Sequence, residues 1–319
     1  MTQLKSFFDL VNELSMKSDK KLPNLKVPVK GKKGVSKFMR KKVVATAKDD
    51  LNAGFKTDAN RKAAFAKMND AVHSADRKPE KYVKPDGKIG IRMVKTDNEI
   101  SAMKAAADLN ETACTKACNE IKIGMRELDI AEIYAQEVGK GLGKWLWFHF
   151  GSGRRSVGIF PPTEKKIQAG EMWKFDAGLS LNNYQADTGW GGVIGQPNAQ
   201  QNMIWEATLI GYDSAMSVIK EGVRPSEIQN AMIKGTQDGG LADHSGTFAG
   251  HAIGLEMREL PYVLGNKKIV NSLYLPEDTD IPLTENTVLC IENPCQIFGV
   301  GGTQIEQTII VKKNGYELL

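Results

Sequence analysis

The stretch "KFDAGLSLNNYQAD", Lys174–Asp187, decides how the chain is read. It places two carboxylates, Asp176 and Asp187, eleven residues apart in an apolar setting. With its flanks, "GEMWKFDAG" and "ADTGWGGVIG", it reads as two strands around the Asn182-Asn183 turn. A buried strand rejects ionised groups unless something pairs with them. The partner is a backbone cap, a basic side chain or a metal ion.

Working outward, the hairpin belongs to a repeat. "IKIGMRELDI" at 121–130 matches "IKEGVRPSEI" at 219–228 at Ile, Lys, Gly, Arg and Ile. A long helix is predicted before each match and a shorter one after it. "TVLCIENP" then resembles "EMWKFDAG", and "GGTQIEQTIIV" stands where "ADTGWGGVIG" stands in the first half. Asp176 to Glu292 is 116 residues and Asp187 to Glu306 is 119. The repeat predicts two similar α+β halves packed about a pseudo-twofold axis, each with a hairpin bearing one acid per strand. The first half opens on "TDNE", a capping box of Thr96 and Glu99. Its helix runs over about 97–121 with Ile100, Met103, Ala107 and Leu109 towards a core. A second helix extends to about Val138, and 145–160 is strand-like.

If the halves face each other, Asp176, Asp187, Glu292 and Glu306 converge. Four carboxylates cannot share a pocket as free anions, because like charges repel and raise each other's pKa. Divalent cations resolve the conflict, and a borderline ion also wants an imidazole. "GHAIGLEMRELP" supplies His251 between small residues that allow close backbone approach.

These residues resemble the pita-bread metallopeptidase family, which includes methionine aminopeptidases, aminopeptidase P, prolidase and creatinase. The family's metal ligands run Asp, Asp, His, Glu, Glu. Here "FDAG", "ADTGW", "GHAIG", "IENP" and "GGTQIEQT" supply Asp176, Asp187, His251, Glu292 and Glu306 in that order. The short Glu–Glu interval is closer to the prolidase and creatinase branch. The resemblance covers about residues 91–319 and implies the pita-bread fold and two divalent ions (manganese, cobalt, zinc or iron). It implies that Asp176 and Asp187 hold one ion, with Asp187 bridging. His251 and Glu292 hold the other, and Glu306 bridges. A bridging water is the implied nucleophile and Glu292 the base that takes its proton. The implied activity is hydrolysis of an Xaa-Pro-type peptide bond, or another C–N bond, in a short peptide or small molecule. The alternatives are a creatinase-like hydrolase or lyase acting on a small zwitterion, and a binding module that kept the fold. A homodimer is the expected assembly.

Two positions depart from the family pattern. Its peptidases usually carry a histidine in a "GPN-x-x-x-PH"-like segment; here "SGRRSVGIFPP" puts Phe160 near that place. A second histidine follows the ligand histidine, and "GHAIGLEMRE" has Arg258 there. Arginine can hold a carboxylate through two parallel bonds. Arg258, Phe160, Arg154 and Arg155 are therefore the expected substrate-binding set, and His149 is a candidate replacement for the missing catalytic histidine.

Charge separates the chain into two parts. Residues 1–90 carry 22 Lys/Arg against 10 Asp/Glu, a net of +12, which leaves −7 for 91–319. The first part reads as a basic, mainly helical N-terminal extension. It could meet nucleic acid or an acidic partner, but it holds no recognisable nucleic-acid motif. The second part is the catalytic domain. No run of eighteen apolar residues and no signal peptide is apparent, so a cytoplasmic protein without a membrane partner is expected. Cys114, Cys118, Cys290 and Cys295 read as reduced, semi-buried thiols.

Overall fold

The computed structural model describes residues 92–244, 248–263 and 280–319. The basic extension expected over residues 1–90 lies outside them. The fold opens with helix α1 (Asp97–Asn119), whose start is the predicted capping box. Glu99 N–H donates to Thr96 Oγ1, and Thr96 N–H donates to the Glu99 carboxylate at 2.8 Å. Ile100 and Met103 are buried as expected, but Leu109 is only half-buried. Its methyl groups cover Gly141 and Gly143, where a side chain would collide with them.

Helix α2 (Glu127–Lys140) and strand β1 (Lys144–Ser152) follow. The strand expected to reach residue 160 stops at Ser152, because Gly153 takes φ +60° and opens a 3-10 turn. Strands β2 (Met172–Leu181) and β3 (Tyr184–Val193) form the quoted hairpin. Asn182 and Asn183 both have positive φ, 51° and 72°, the geometry of a tight two-residue hairpin turn. Helices α3 (Ala199–Val218) and α4 (Pro225–Asp238) begin the second half. It continues with β4 (Gly250–Ala252), β5 (Glu259–Tyr262), β6 (Val288–Glu292), β7 (Cys295–Ile297) and β8 (Gly301–Thr303). Strands β9 (Glu306–Lys312) and β10 (Gly315–Leu318) close it.

The repeat is physical. Gly124 and Gly222 have φ +90° and +86° at matching places. Gly124 N–H donates to Ile167 and Gly222 N–H to Leu283, and Ile167 and Leu283 donate back to Met125 and Val223. The offset from Ile167 to Leu283 is the 116 residues that separate Asp176 from Glu292. Arg126 and Arg224 cap α2 and α4, each with its backbone N–H on an acid three residues on, Asp129 or Glu227.

One antiparallel sheet, in the order β1-β2-β3-β9-β6-β4-β5, joins the halves where β3 meets β9. Helix α1 packs on β2 and β3. The helix side of β1 and β2 is aromatic: Phe148 stacks on Tyr134 of α2 at 4.8 Å and on Phe175 at 5.9 Å. The opposite side carries Lys174, Asp176 and Gly178, since alternate residues point to opposite faces. The fold is α+β with two pseudo-twofold-related halves, the architecture that the pita-bread resemblance implies.

Glu127, fully buried at the start of α2, ties this helix to the β1 end. Its carboxylate accepts from Ser152 N–H and Oγ, Thr163 N–H and Oγ1, and Arg155 Nε at 3.0 Å. Removing one partner leaves buried donors and a cation unpaired. Glu127→Ala should cost about 3 kcal/mol or more, read as a lowered urea midpoint at unchanged slope.

Candidate metal centre

Five neighbouring strands each contribute one donor to the same face. Asp176 lies on β2, Asp187 on β3, Glu306 on β9, Glu292 on β6 and His251 on β4. None is more than 8 % exposed, and His251 is wholly buried. Glu292 and Glu306 are directly paired across β6 and β9, and Glu306 is paired with Gly189 across the junction of the halves. Donor atoms of Asp176, Glu292 and Glu306 lie within 4.8 Å of one another. So do those of Asp187, His251, Cys290 and Glu306. Glu306 belongs to both groups, while Asp187 falls on the His251 side, 3.4 Å from its Nε2. Cys290, read from sequence only as a semi-buried thiol, is a fourth donor there; its Sγ sits 3.2 Å from Thr308 Oγ1.

Small residues let these groups meet. A Cβ on Gly189 would fall 1.8 Å from Gln304 Nε2 and 2.6 Å from Glu306 Oε2. Gly250, at φ +135°, lets β4 approach the Cys290 carbonyl, which a side chain would meet at 2.0 Å. His251 Nδ1 lies 2.9 Å from its neighbour's carbonyl, Ala252 O, so Nδ1 is the protonated nitrogen and Nε2 keeps its lone pair. That Nε2 and Asp187 Oδ1 are buried without hydrogen-bond partners. A lone-pair nitrogen and a carboxylate oxygen, orphaned side by side, fit a cation. Two outer donors hold the carboxylates: Gln304 Nε2 on Glu306 Oε2 at 2.9 Å and Trp147 Nε1 on Asp176 Oδ1 at 2.7 Å. Gln304 stands two residues before Glu306 in a quoted motif; Trp147 left no such signal.

Charge crowding sets the proton affinities. Burial, then Asp176, pushes the Asp187 carboxyl well above the usual range. Burial, then Asp187 and Glu292, does the same to Glu306. Glu292 is pushed up to about 7 by burial, against the pull of His251 and Arg258. Burial and then Arg258 bring His251 down to about 4.

The substrate-side residues separate. The Arg258 guanidinium lies 5.2 Å from the Phe248 ring centroid, with Nε buried and without a partner. Burial lowers its pKa, but Glu292, Asp176 and Asp187 outweigh that and raise it. His149 is paired with Asp176 across β1 and β2, and its Nδ1 is buried and unpartnered. Burial lowers its pKa although Asp176 opposes. His149 also lines a cleft of about 460 Å³ with Trp145, Trp147, Pro161 and Pro162. Arg155 is committed to Glu127 and the Pro161 carbonyl, and Phe160 lies 5.4 Å from its guanidinium carbon. Arg154 is exposed on the 3-10 turn. Arg154, Arg155 and Phe160 thus share a segment, while Arg258 and His149 adjoin the acids.

The model of metallopeptidase family M24 matches residues 101–313, a span holding all five donors. The chain belongs to metallopeptidase family M24. An Xaa-Pro dipeptidase of Pyrococcus furiosus is 27% identical over 234 residues, covering 72% of this M24 chain and 63% of that protein. The solved prolidase of Pyrococcus furiosus is 26% identical with a TM-score of 0.64, over 72% of this chain and 65% of that one. The X-Pro aminopeptidase of Thermotoga maritima is likewise 26% identical with a TM-score of 0.64, over 73% and 66%. The M24 chain therefore spans under two thirds of the length of these relatives. No helix among its described residues is long and apolar enough to cross a membrane.

Asp187, Glu292 and Glu306 bind protons more tightly folded than unfolded, so raising pH favours the unfolded chain. His251 acts oppositely between about 4 and its unfolded value near 6.5. Chelator-treated protein should therefore lose Tm from about pH 5 upward, without histidine compensation above pH 6.5. Added Mn2+ at pH 7.5 should restore it through binding to the folded state. A Tm indifferent to both pH and divalent ions would contradict the charge assignment.

Proposed function

We propose that this chain is a dinuclear metal-dependent hydrolase that cleaves an Xaa-Pro-type peptide bond in a short peptide. One observation carries the reading: five buried donors from five adjacent strands, with Asp187 Oδ1 and His251 Nε2 unpartnered. Asp176, Asp187, His251, Glu292 and Glu306 would hold two divalent ions, with Glu306 shared. Ions held there supply Lewis acidity, lowering the pKa of water and polarising a carbonyl. The names of the relatives, an Xaa-Pro dipeptidase and an X-Pro aminopeptidase, support the substrate class.

The chain's own residues divide the work. Glu292, with its carboxyl raised towards neutrality, accepts and returns a proton at the pH where a general base is most effective. Four carboxylates offset the charge of two divalent ions, which leaves Arg258 as net positive charge beside them. Its unpartnered Nε can take a substrate carboxylate. His149, neutral through burial, stands on the other flank as a hydrogen-bonding group. Arg154, Arg155 and Phe160 would act only at the rim. Dimerisation and a cytoplasmic location complete the proposal.

Arg258 also favours a second reading, a C–N hydrolase of a small anionic compound. One substrate panel separates the two. Metal-loaded protein is offered Xaa-Pro dipeptides, longer Xaa-Pro peptides, creatine-like compounds and N-acyl diamino acids. Hydrolysis of Xaa-Pro dipeptides, abolished by chelator, is the expected result. Turnover confined to the non-peptide amides supports the second reading, and no turnover with no metal uptake sinks both.

Two variants test the roles. Glu292→Gln should lower kcat by roughly 10²- to 10⁴-fold, with bound metal checked independently by elemental analysis. Arg258→Leu should raise KM for carboxylate-bearing substrates roughly 10- to 100-fold, with a smaller change in kcat.

A further inference from the structure

We propose that Trp147 is a positioning residue for the metal centre: its indole N–H holds the Asp176 carboxylate in the orientation that receives a cation. The inference rests on the metal-centre reading above. Three features of the β1–β2 pair build this contact.

The first is a bulge. Trp145 is paired with Leu179 and Trp147 with Gly178, so Leu146 is an extra residue on β1. Residues directly opposite in an antiparallel pair share a face of the sheet. Past the bulge the ladder runs unbroken from the Trp147–Gly178 pair to the Ser152–Trp173 pair, which sets Trp147 on the face of Gly178 and Asp176, opposite to Phe148. The second feature is Gly178 itself. A Cβ there would lie 2.0 Å from Trp147 Cη2, so the ring needs that glycine to cross β2. The third is the bond, Nε1 donating to Asp176 Oδ1 at 2.7 Å.

The donor's chemistry suits the task. An indole N–H is donor only and neutral. It fixes the carboxylate's rotation without adding a positive charge that would compete with a cation. A lysine or arginine in its place would orient Asp176 and also repel the ion. Donors of this kind, behind a metal ligand, typically carry 10- to 100-fold in metal affinity.

Mn2+ and Zn2+ are titrated separately into the chelator-stripped full chain by calorimetry. Trp147→Phe keeps the ring over Gly178 and deletes the donor. Gly178→Ala keeps the donor and removes its seat. Both should weaken the binding of one ion on the order of tenfold or more, with circular dichroism as in the wild type. Because the readout is affinity in the absence of substrate, a purely catalytic effect cannot produce it. Trp147→Phe with both affinities unchanged overturns the role of Trp147 and leaves the metal centre standing, whatever Gly178→Ala does. Wild-type protein that takes up neither ion overturns the metal centre and this inference with it.

Discussion

The dominant constraint in this fold is electrostatic. Four carboxylates occupy one buried nest, each 8 % exposed or less. Desolvation and repulsion by neighbouring acids oppose the ionisation of Asp187, Glu292 and Glu306. Much of the surrounding sequence follows from that conflict. Gly189 and Gly250 are bare so that strands and side chains can close on the nest. Gln304 and Trp147 restrain two of the acids from behind. Arg258 and the buried Lys174 bring two positive charges, too few to balance four acids.

The periphery is organised on a different principle. Around Glu127 the polar groups satisfy one another, and Arg155 and its neighbour Phe160 are part of that closed arrangement. The loop carrying Arg258 is braced from below: Glu259, 2 % exposed, pairs with Arg92 and Lys95 and accepts from the N–H groups of Leu255 and Glu256. The bracing leaves Arg258 itself with an uncommitted Nε. That unspent donor beside a charged centre is what the proposed substrate contact rests on, whereas the spent donors of Arg155 belong to structure.

Much of this was legible in the residues because its signals are short-range or periodic. The Asn182-Asn183 turn, the Thr96–Glu99 capping box and the two Ile-Lys-x-Gly-x-Arg matches each fix local backbone geometry. The repeat offset of 116 residues aligns Asp176 with Glu292. What escaped depends on register and on three-dimensional neighbours. No pattern in "KWLWFHFGS" announces that Leu146 is bulged, so the face taken by Trp147 could not be read. Leu109 follows the helical period yet serves as a lid over two glycines. Arg155 reads as a substrate-binding residue in the sequence because its structural partner, Glu127, is 28 residues away. Cys290 passed as an ordinary thiol because its proximity to His251 comes from the pairing of β4 with β6.

The seam between the halves has an energetic consequence. The strands that meet there, β3 and β9, share a single ladder pair, Gly189 with Glu306. The acids of the two halves crowd one another only where this seam closes, so the electrostatic cost of the nest falls on joining the halves. Ions held at the proposed centre would act as a clasp across that seam, tying the assembly of the centre to completion of the whole domain.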